Sequence, residues 1–422
     1  MECTNSLDIE LTTEEKEMLA GRSGDAVRLA LESQLAVAEF FGARRFVPIK
    51  QAHVMADWEA MDDAGCEFLQ RMVELGAQTA VPTTRNPTSV DLRYARELCQ
   101  SAELLAGNQR VSSLLRQLGV LTVNTCIGYQ TLYQPRFREH VGWGDTGTVI
   151  YANSVLGART NFEAGPAAIA AALTGRVPEY GFHLDAVRGG NVYCRIEARL
   201  DDVAQWGALG AVIGSAARDY WNVPIIDPVG LDPSPDDLKH LGASLASYGS
   251  MAMFHVAGKT PEAPTVDAAV GPEGISQDII VRDDDIEAVL ERNGVPGKPV
   301  DVVVFTAPQL SLFEIRKLAQ LIEGRHVCEH TTLLATTNAS TWQTAEDEGY
   351  VKVIEQAGGL VLRGVCWYLM EPQKMREAFA WERVVTNSAK LVNIIQAHGY
   401  EAVLCTTEEC VEAAVRGEVV RR

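Results

Sequence analysis

Side chains able to bind metal or hold an anion gather at a few places in this chain. Cys126 follows an apolar run in NTCIGY, Cys366 follows LVLRGV in GVCWYL, and Cys410 lies in TTEEC. Thr406 and Glu409 form a capping-box pattern that puts Cys410 in a first helical turn. There the helix dipole favours a thiolate, the form that binds metal. Three cysteines at strand-to-helix junctions can converge at one edge of a sheet. An iron–sulfur cluster on three thiolates keeps one iron open to act as a Lewis acid. The competing reading of each cysteine is a small buried hydrophobe, and no C-x-x-C pair occurs in the chain.

A second concentration is TVIYANSVLGARTNFEAGPAAIAAALTGRVPEYGFH, residues 148–183. Asn153, Ser154, Arg159, Thr160 and Asn161 fall within nine residues, separated by small or apolar side chains. Pro166 suits a first helical position and Gly175 a helix end. Such a cluster fits a close approach of backbone or ligand, and equally a capped loop followed by a tightly packed core helix. Arg159 suits a substrate carboxylate, which its planar fork grips at two points, or a buried structural ion pair. His53, in AHV, can bind substrate, relay a proton or sit satisfied in a core. Thr83, Thr84, Asn86 and Ser89 in PTTRNPTSVD can bond a substrate or build an Asx-type turn. Asn387, Ser388 and Lys390 in TNSAK offer an anion site, or a helix cap beside a surface lysine.

The elements that must position these groups alternate between helical and strand patterns, which predicts an α/β architecture. Val27, Leu31, Leu35 and Ala38 recur at helical spacing up to Gly42. RRFVPIKQAHV reads as a strand delivering His53, GAQTAVPTT as another, and LGVLTVNT as a buried strand ahead of Cys126. PVDVVVFTAP, TTLLATT, LVLRGVC and EAVLC read as strands of a βαβ series. Between them lie SLFEIRKLAQLIEG, with a Ser311–Glu314 capping box, and one helix around TAEDEGYVKVIEQAGG. The boundaries fall into a region 1–295, with a possible break near GLDPSPDD at 230, and a C-terminal α/β domain 296–422 that starts in PGKPVD.

Composition narrows the function. The 422 residues suit two or three domains of about 150 residues. Fifty-six acidic against 37 basic residues give a net charge of −19, which argues against nucleic acid and anionic membrane surfaces as partners. The N-terminus shows neither a basic nor an apolar leader region, and no run of about 18 apolar residues is present. Nine scattered cysteines fit reduced thiols in a cytoplasm.

AHV at 52–54, PTTRNPTSVD at 82–91, TC at 125–126, YANSVLGARTN with its GP and TGRVPEYGFH, FHVAGKTPEAP at 254–264 and TNSAK at 386–390 together resemble the large subunit of aconitase X. That family is a divergent branch of the aconitase superfamily, and the resemblance spans essentially the whole chain. It implies an aconitase-like multi-domain α/β architecture, mixed or parallel sheets flanked by helices, with a cluster site at the domain interface. It implies a hydro-lyase that removes water from a small hydroxy acid, cis-3-hydroxy-L-proline first and mevalonate 5-phosphate second. A cluster-free subunit that binds a small molecule or serves assembly is the alternative. Carried over by position, Cys126, Cys366 and Cys410 are the iron–sulfur ligands (4Fe–4S or 2Fe–2S), with Cys328 and Cys405 as substitutes for Cys410. Ser154, Arg159 and His53 become catalytic candidates. Thr83, Thr84, Asn86, Ser89, Asn153, Thr160, Asn161, Asn387, Ser388 and Lys390 become substrate-binding candidates. Two departures stand beside Cys126: Gly128 in TCIGY replaces a proline, and PRFREHVGWGDTG departs from a Gly-Glu-His stretch. The swivelling small domain, which carries the base serine in the superfamily, is expected on a separate subunit.

Overall fold

Val302–Phe305 is apolar at every position and buried throughout, as a strand covered on both faces must be. In the computed structural model, which describes residues 9–228 and 230–421, it is the central strand of a five-stranded parallel sheet. Thr332–Thr337 and Gly359–Arg363 follow on one side, Arg383–Thr386 and Glu401–Leu404 on the other. Residues 1–8, the start of the stretch read for a leader, lie outside the described residues. Helix Leu312–Ile322 carries the expected Ser311–Glu314 capping box. The single helix expected near 344–358 is two, Ala339–Asp347 and Tyr350–Gln356, because Gly349 between them takes a φ of 81° that ends one helix and starts the next.

A second parallel sheet has the order His255–Val256, Pro224–Pro228, Val192–Ile196, Gln277–Val281. Helices Val203–Ala216 and Pro235–Gly249 pack closely beside it. A Cβ at Gly210 would stand 2.6 Å from the Leu241 carbonyl oxygen, so only glycine allows that approach.

The third parallel sheet, Thr83–Arg85, Ala52–Val54 and Gly142–Trp143, is small. Here three sequence-based strands are corrected. RRFVPIKQAHV forms two short strands in different sheets: Phe46–Pro48 pairs antiparallel with Arg176–Pro178, and Ala52–Val54 joins the parallel sheet. Pro48 has no N–H for a continuing ladder. GAQTAVPTT contributes only Thr83–Arg85. LGVLTVNT forms no strand beyond a bridge from Leu121 to Thr84, because the Val123 N–H turns back to Leu121 O and Asn124 takes a left-handed φ of 52°. The α/β expectation, parallel sheets flanked by helices, holds. Among the described residues no helix is long and apolar enough to cross a membrane.

A buried ion network joins the second sheet's helices to the C-terminal sheet. Lys239, on helix Pro235–Gly249, pairs with Glu314 at the start of helix Leu312–Ile322 and with Asp236 at 3.1 Å. His240 Nε2 meets Glu314 Oε1 at 2.8 Å. Burial pushes the Glu314 carboxyl up, but Lys239 and His240 outweigh it and hold it at about 2. A carboxylate held below its unfolded value stabilises the fold above that value. In the window below the ordinary carboxylate range the unfolded chain binds the extra proton, so stability falls with pH down to about 2. Urea titrations across this window should show that loss, and Glu314→Gln should flatten it. The substitution should also cost about 3 kcal/mol at neutral pH, because Lys239 keeps only Asp236 as a charged partner.

Candidate functional site

The carboxyl ends of two parallel sheets feed one cavity of about 190 Å³. Asn86 follows strand Thr83–Arg85, and Asp145 follows Gly142–Trp143. Cys366 follows Gly359–Arg363, and Lys390 follows Arg383–Thr386. All four line it, together with Cys126 and Tyr368. Residues beyond the ends of parallel strands are where α/β proteins place ligands. A larger open groove of about 730 Å³ lies beside Tyr129 and Tyr151. Its lining carries hydroxyls and Asp236 but no cysteine, histidine or cation, so the chemistry concentrates in the smaller cavity.

Cys126 and Cys366 arrive on loops that one side chain ties together. Gln309 is fully buried. Its Oε1 accepts the Cys126 N–H at 3.3 Å, and its Nε2 donates to Asn124 O at 3.3 Å and Val365 O at 3.1 Å. Its own main-chain N–H donates to Cys126 Sγ at 3.4 Å. The Thr306 hydroxyl donates to Cys366 Sγ at 3.8 Å. The two loops also touch directly: a Cβ at Gly364 would lie 3.1 Å from Asn124 Cβ. Burial pushes the Cys126 thiol up to about 12, with Asp145 and Cys366 adding to it, while the Gln309 N–H and Lys390 pull the other way. Burial raises Cys366 too, against Lys390, the Tyr368 N–H and Thr306. A bound metal cation, added to the pull of Lys390, would favour the thiolate form of both.

Behind the cavity wall, His53 Nδ1 lies 2.8 Å from Thr84 Oγ1 and its Nε2 3.4 Å from Asn86 Oδ1. Burial lowers its basicity, with Asp145 opposing. Asp145 caps helix Thr146–Ser154 by accepting the Thr148 N–H, and Lys390 Nζ donates to Thr146 Oγ1 at 3.2 Å.

Of the residues singled out in the sequence, the structure thus brings Cys126, Cys366, Asn86 and Lys390 to one cavity, with His53 and Thr84 directly behind. It does not bring Cys410 there. That thiol is buried in the hydrophobic core of the C-terminal sheet, donating to Cys405 O at 3.6 Å. Cys405 belongs to the same core, and Cys328 packs near Gly417 beyond it. Among the described residues no three His, Cys, Asp or Glu side chains gather closely enough to hold a metal ion by themselves.

The 153–161 cluster spends its hydrogen bonds inside the fold. Asn153 Oδ1 accepts the Thr160 N–H at 3.1 Å, and its Nδ2 donates to Thr160 O and Ala252 O, each at 2.9 Å. Ser154 Oγ accepts the Phe254 N–H at 2.9 Å. Arg159 donates to His183 O at 2.7 Å and pairs with Asp185. Thr160 Oγ1 accepts the Trp143 N–H at 3.2 Å, which steadies the strand leading to Asp145. Asn161 bonds Tyr180 O and the Phe182 N–H. Among the other candidates, Thr83 donates to Val81 O and Ser89 is fully buried. Asn387 donates to Thr407, and Ser388 donates to Ala307 O while capping its own helix. Sequence reasoning missed Gln309 and Asp145. Asp145 had a signal, an acidic residue before a helical run; Gln309 had none.

Three family models match the chain: "Aconitase X first domain" over residues 8–186, "Aconitase X second domain" over 190–291 and "Aconitase X third domain" over 300–416. The phosphomevalonate dehydratase large subunit of Thermococcus kodakarensis is 32% identical over 96% of this chain and 99% of its own length. The cis-3-hydroxy-L-proline dehydratase of Pseudomonas aeruginosa is 33% identical over 95% of this chain, which covers 69% of that protein. The crystal structure of Thermococcus kodakaraensis aconitase X in its holo-form superimposes with a TM-score of 0.87 at 31% identity, covering 96% of this chain and 100% of that one.

The tie between the cysteine loops gives a direct expectation. Gln309→Ala leaves the buried Cys126 N–H and Val365 carbonyl, and the part-buried Asn124 carbonyl, without their partner, a loss of about 1–3 kcal/mol in urea unfolding. A change below a few tenths of that would mean that the loops hold themselves.

Proposed function

The chain belongs to the aconitase X family, and from that premise we propose that it is the large subunit of an iron–sulfur dehydratase acting on a small hydroxy acid. The observation that carries this reading is the arrival of Cys126 and Cys366, on two loops far apart in the chain, at one cavity where each sulfur accepts a hydrogen bond. Such bonds to sulfur are what tunes a thiolate-bound iron centre. The donor set fits a centre held by two protein thiolates. It does not fit a set completed by Cys410, whose sulfur lies in another core. The remaining ligands then come from solvent, substrate or the partner chain.

When bound, such a centre supplies Lewis acidity for the departing hydroxyl. The chain's own residues do the rest. Lys390 offers the positive charge for a substrate carboxylate, and Asn86 a polar contact beside it. Burial of the cavity walls strengthens both interactions by excluding water. The proton acceptor is assigned to a small subunit. The naming of relatives as large subunits supports that partner, and so does the extra length of the Pseudomonas aeruginosa relative.

cis-3-Hydroxy-L-proline is the preferred substrate, because Lys390 is the one cation lining the described cavity and one carboxylate needs one partner. Mevalonate 5-phosphate is the second reading, favoured by the near end-to-end match with relatives named for that substrate class. Anaerobic iron reconstitution of the chain co-expressed with its small subunit, assayed on both compounds, separates the two. Cys126→Ser and Cys366→Ser should each lose bound iron and at least about 100-fold in turnover. Cys410→Ser should retain both. An iron-free, inactive wild-type complex would overturn the dehydratase reading, and iron loss in Cys410→Ser would overturn the two-thiolate assignment.

A further inference from the structure

The hydrogen-bond chain behind Asn86 has a direction, and a single group sets it. The indole N–H of Trp143 can only donate, and its partner is Gln51 Oε1. That contact fixes the Gln51 amide with Nε2 toward Thr84, whose Oγ1 accepts at 2.8 Å. Thr84 must then send its own proton elsewhere. His53 Nδ1 lies 2.8 Å away, and among the described residues Thr84 Oγ1 has no other acceptor. Nδ1 is therefore the acceptor end of the ring. A neutral imidazole with Nδ1 bare carries its proton on Nε2, and Nε2 faces Asn86 Oδ1 at 3.4 Å.

The consequence lies at the cavity wall. With Oδ1 engaged by His53, the Asn86 amide is oriented so that Nδ2, a donor, is the group left for a ligand. No hydrogen bond of the described fold takes up that nitrogen, and Asn86 lines the cavity beside Lys390. Trp143, Gln51, His53 and Asn86 are each at most 4% exposed, so solvent does not compete for the amides or the ring. Burial also keeps His53 neutral against the pull of Asp145.

We propose that Trp143, Gln51, Thr84 and His53 are positioning residues that hold Asn86 as a hydrogen-bond donor toward the substrate. The cavity thereby selects an oxygen acceptor, such as a carboxylate, over a donor. His53 does this as a neutral Nε2–H tautomer and takes no proton from the substrate. The proposal rests on the cavity being the substrate site, as argued above.

The tautomer can be read on the full-length chain alone, so it decides the relay whether or not the dehydratase reading survives the turnover assay. Long-range proton–nitrogen NMR of the nitrogen-15-labelled chain, with His53 assigned by the signals lost in His53→Gln, should show Nδ1 bare and Nε2 protonated. An Nδ1–H tautomer, or a charged ring at neutral pH, overturns the proposal. Trp143→Phe frees the Gln51 amide to turn over, and His53 should become a mixture of tautomers. In the reconstituted enzyme the same variant should raise KM about tenfold with kcat nearly unchanged, the signature of one lost binding contact. Wild-type tautomer and KM in that variant would remove Trp143 from the relay. Thr84→Val is the second variant, since it deletes the proton given to Nδ1 without touching the large aromatic side chain; an unchanged tautomer there overturns the relay itself.

Discussion

The candidate site depends first on a fully satisfied glutamine. Gln309 meets the Cys126 loop through its side-chain oxygen and its main-chain N–H, and the Asn124 and Val365 carbonyls through its side-chain nitrogen. Its own carbonyl accepts from Lys239 at 3.3 Å. All but the part-buried bond to the Asn124 carbonyl lie buried, where a low-dielectric interior gives each its weight. Lys239 is in turn locked by Glu314. The electrostatics of the domain border therefore reach the Cys126 sulfur, and the loop that carries Cys366, through one residue.

Much of this arrangement was legible, in an uneven way. The C-terminal βαβ series, the Ser311 and Thr406 capping boxes, and the stops at Gly42 and Gly175 follow from local patterns, and the structure has them. Cys126 and Cys366 were legible by their place after apolar runs. Cys410 carries the same local signature, and its helix begins where expected. Which junctions meet in space is decided by sheet packing, and no local pattern encodes it. The segment ahead of Cys126 shows the limit from the other side. LGVLTVNT has the composition of a strand, yet one left-handed residue, Asn124, turns it into the loop that presents the cysteine.

The polar run 153–161 teaches a related distinction. Its density was legible, and the sequence left its purpose open between ligand binding and internal capping. In the structure its partners are backbone groups of residues 180–183 and 252–254, the strand ending at Trp143, and the Asp185 and Arg188 side chains. Those bonds hold the frame around Asp145 and the relay to Asn86. Polar groups can thus serve chemistry at one remove, by fixing the backbone that carries it. Lys390 adds a local counterweight to a strongly acidic molecule, since a cavity's own field need not follow the net charge.

The separation of the site along the chain has a temporal meaning as well. Cys126 and the glutamine that grips it are 183 residues apart, and Cys366 lies farther on still. Closing so long a loop costs entropy before any contact returns it, and folds rich in such contacts form slowly. Every strand of the two other parallel sheets precedes Gln309 in the chain, so the Cys126 loop belongs to a region whose sheets are complete without the residue that grips it. The two cysteine loops therefore meet only when the C-terminal sheet docks on the rest of the chain.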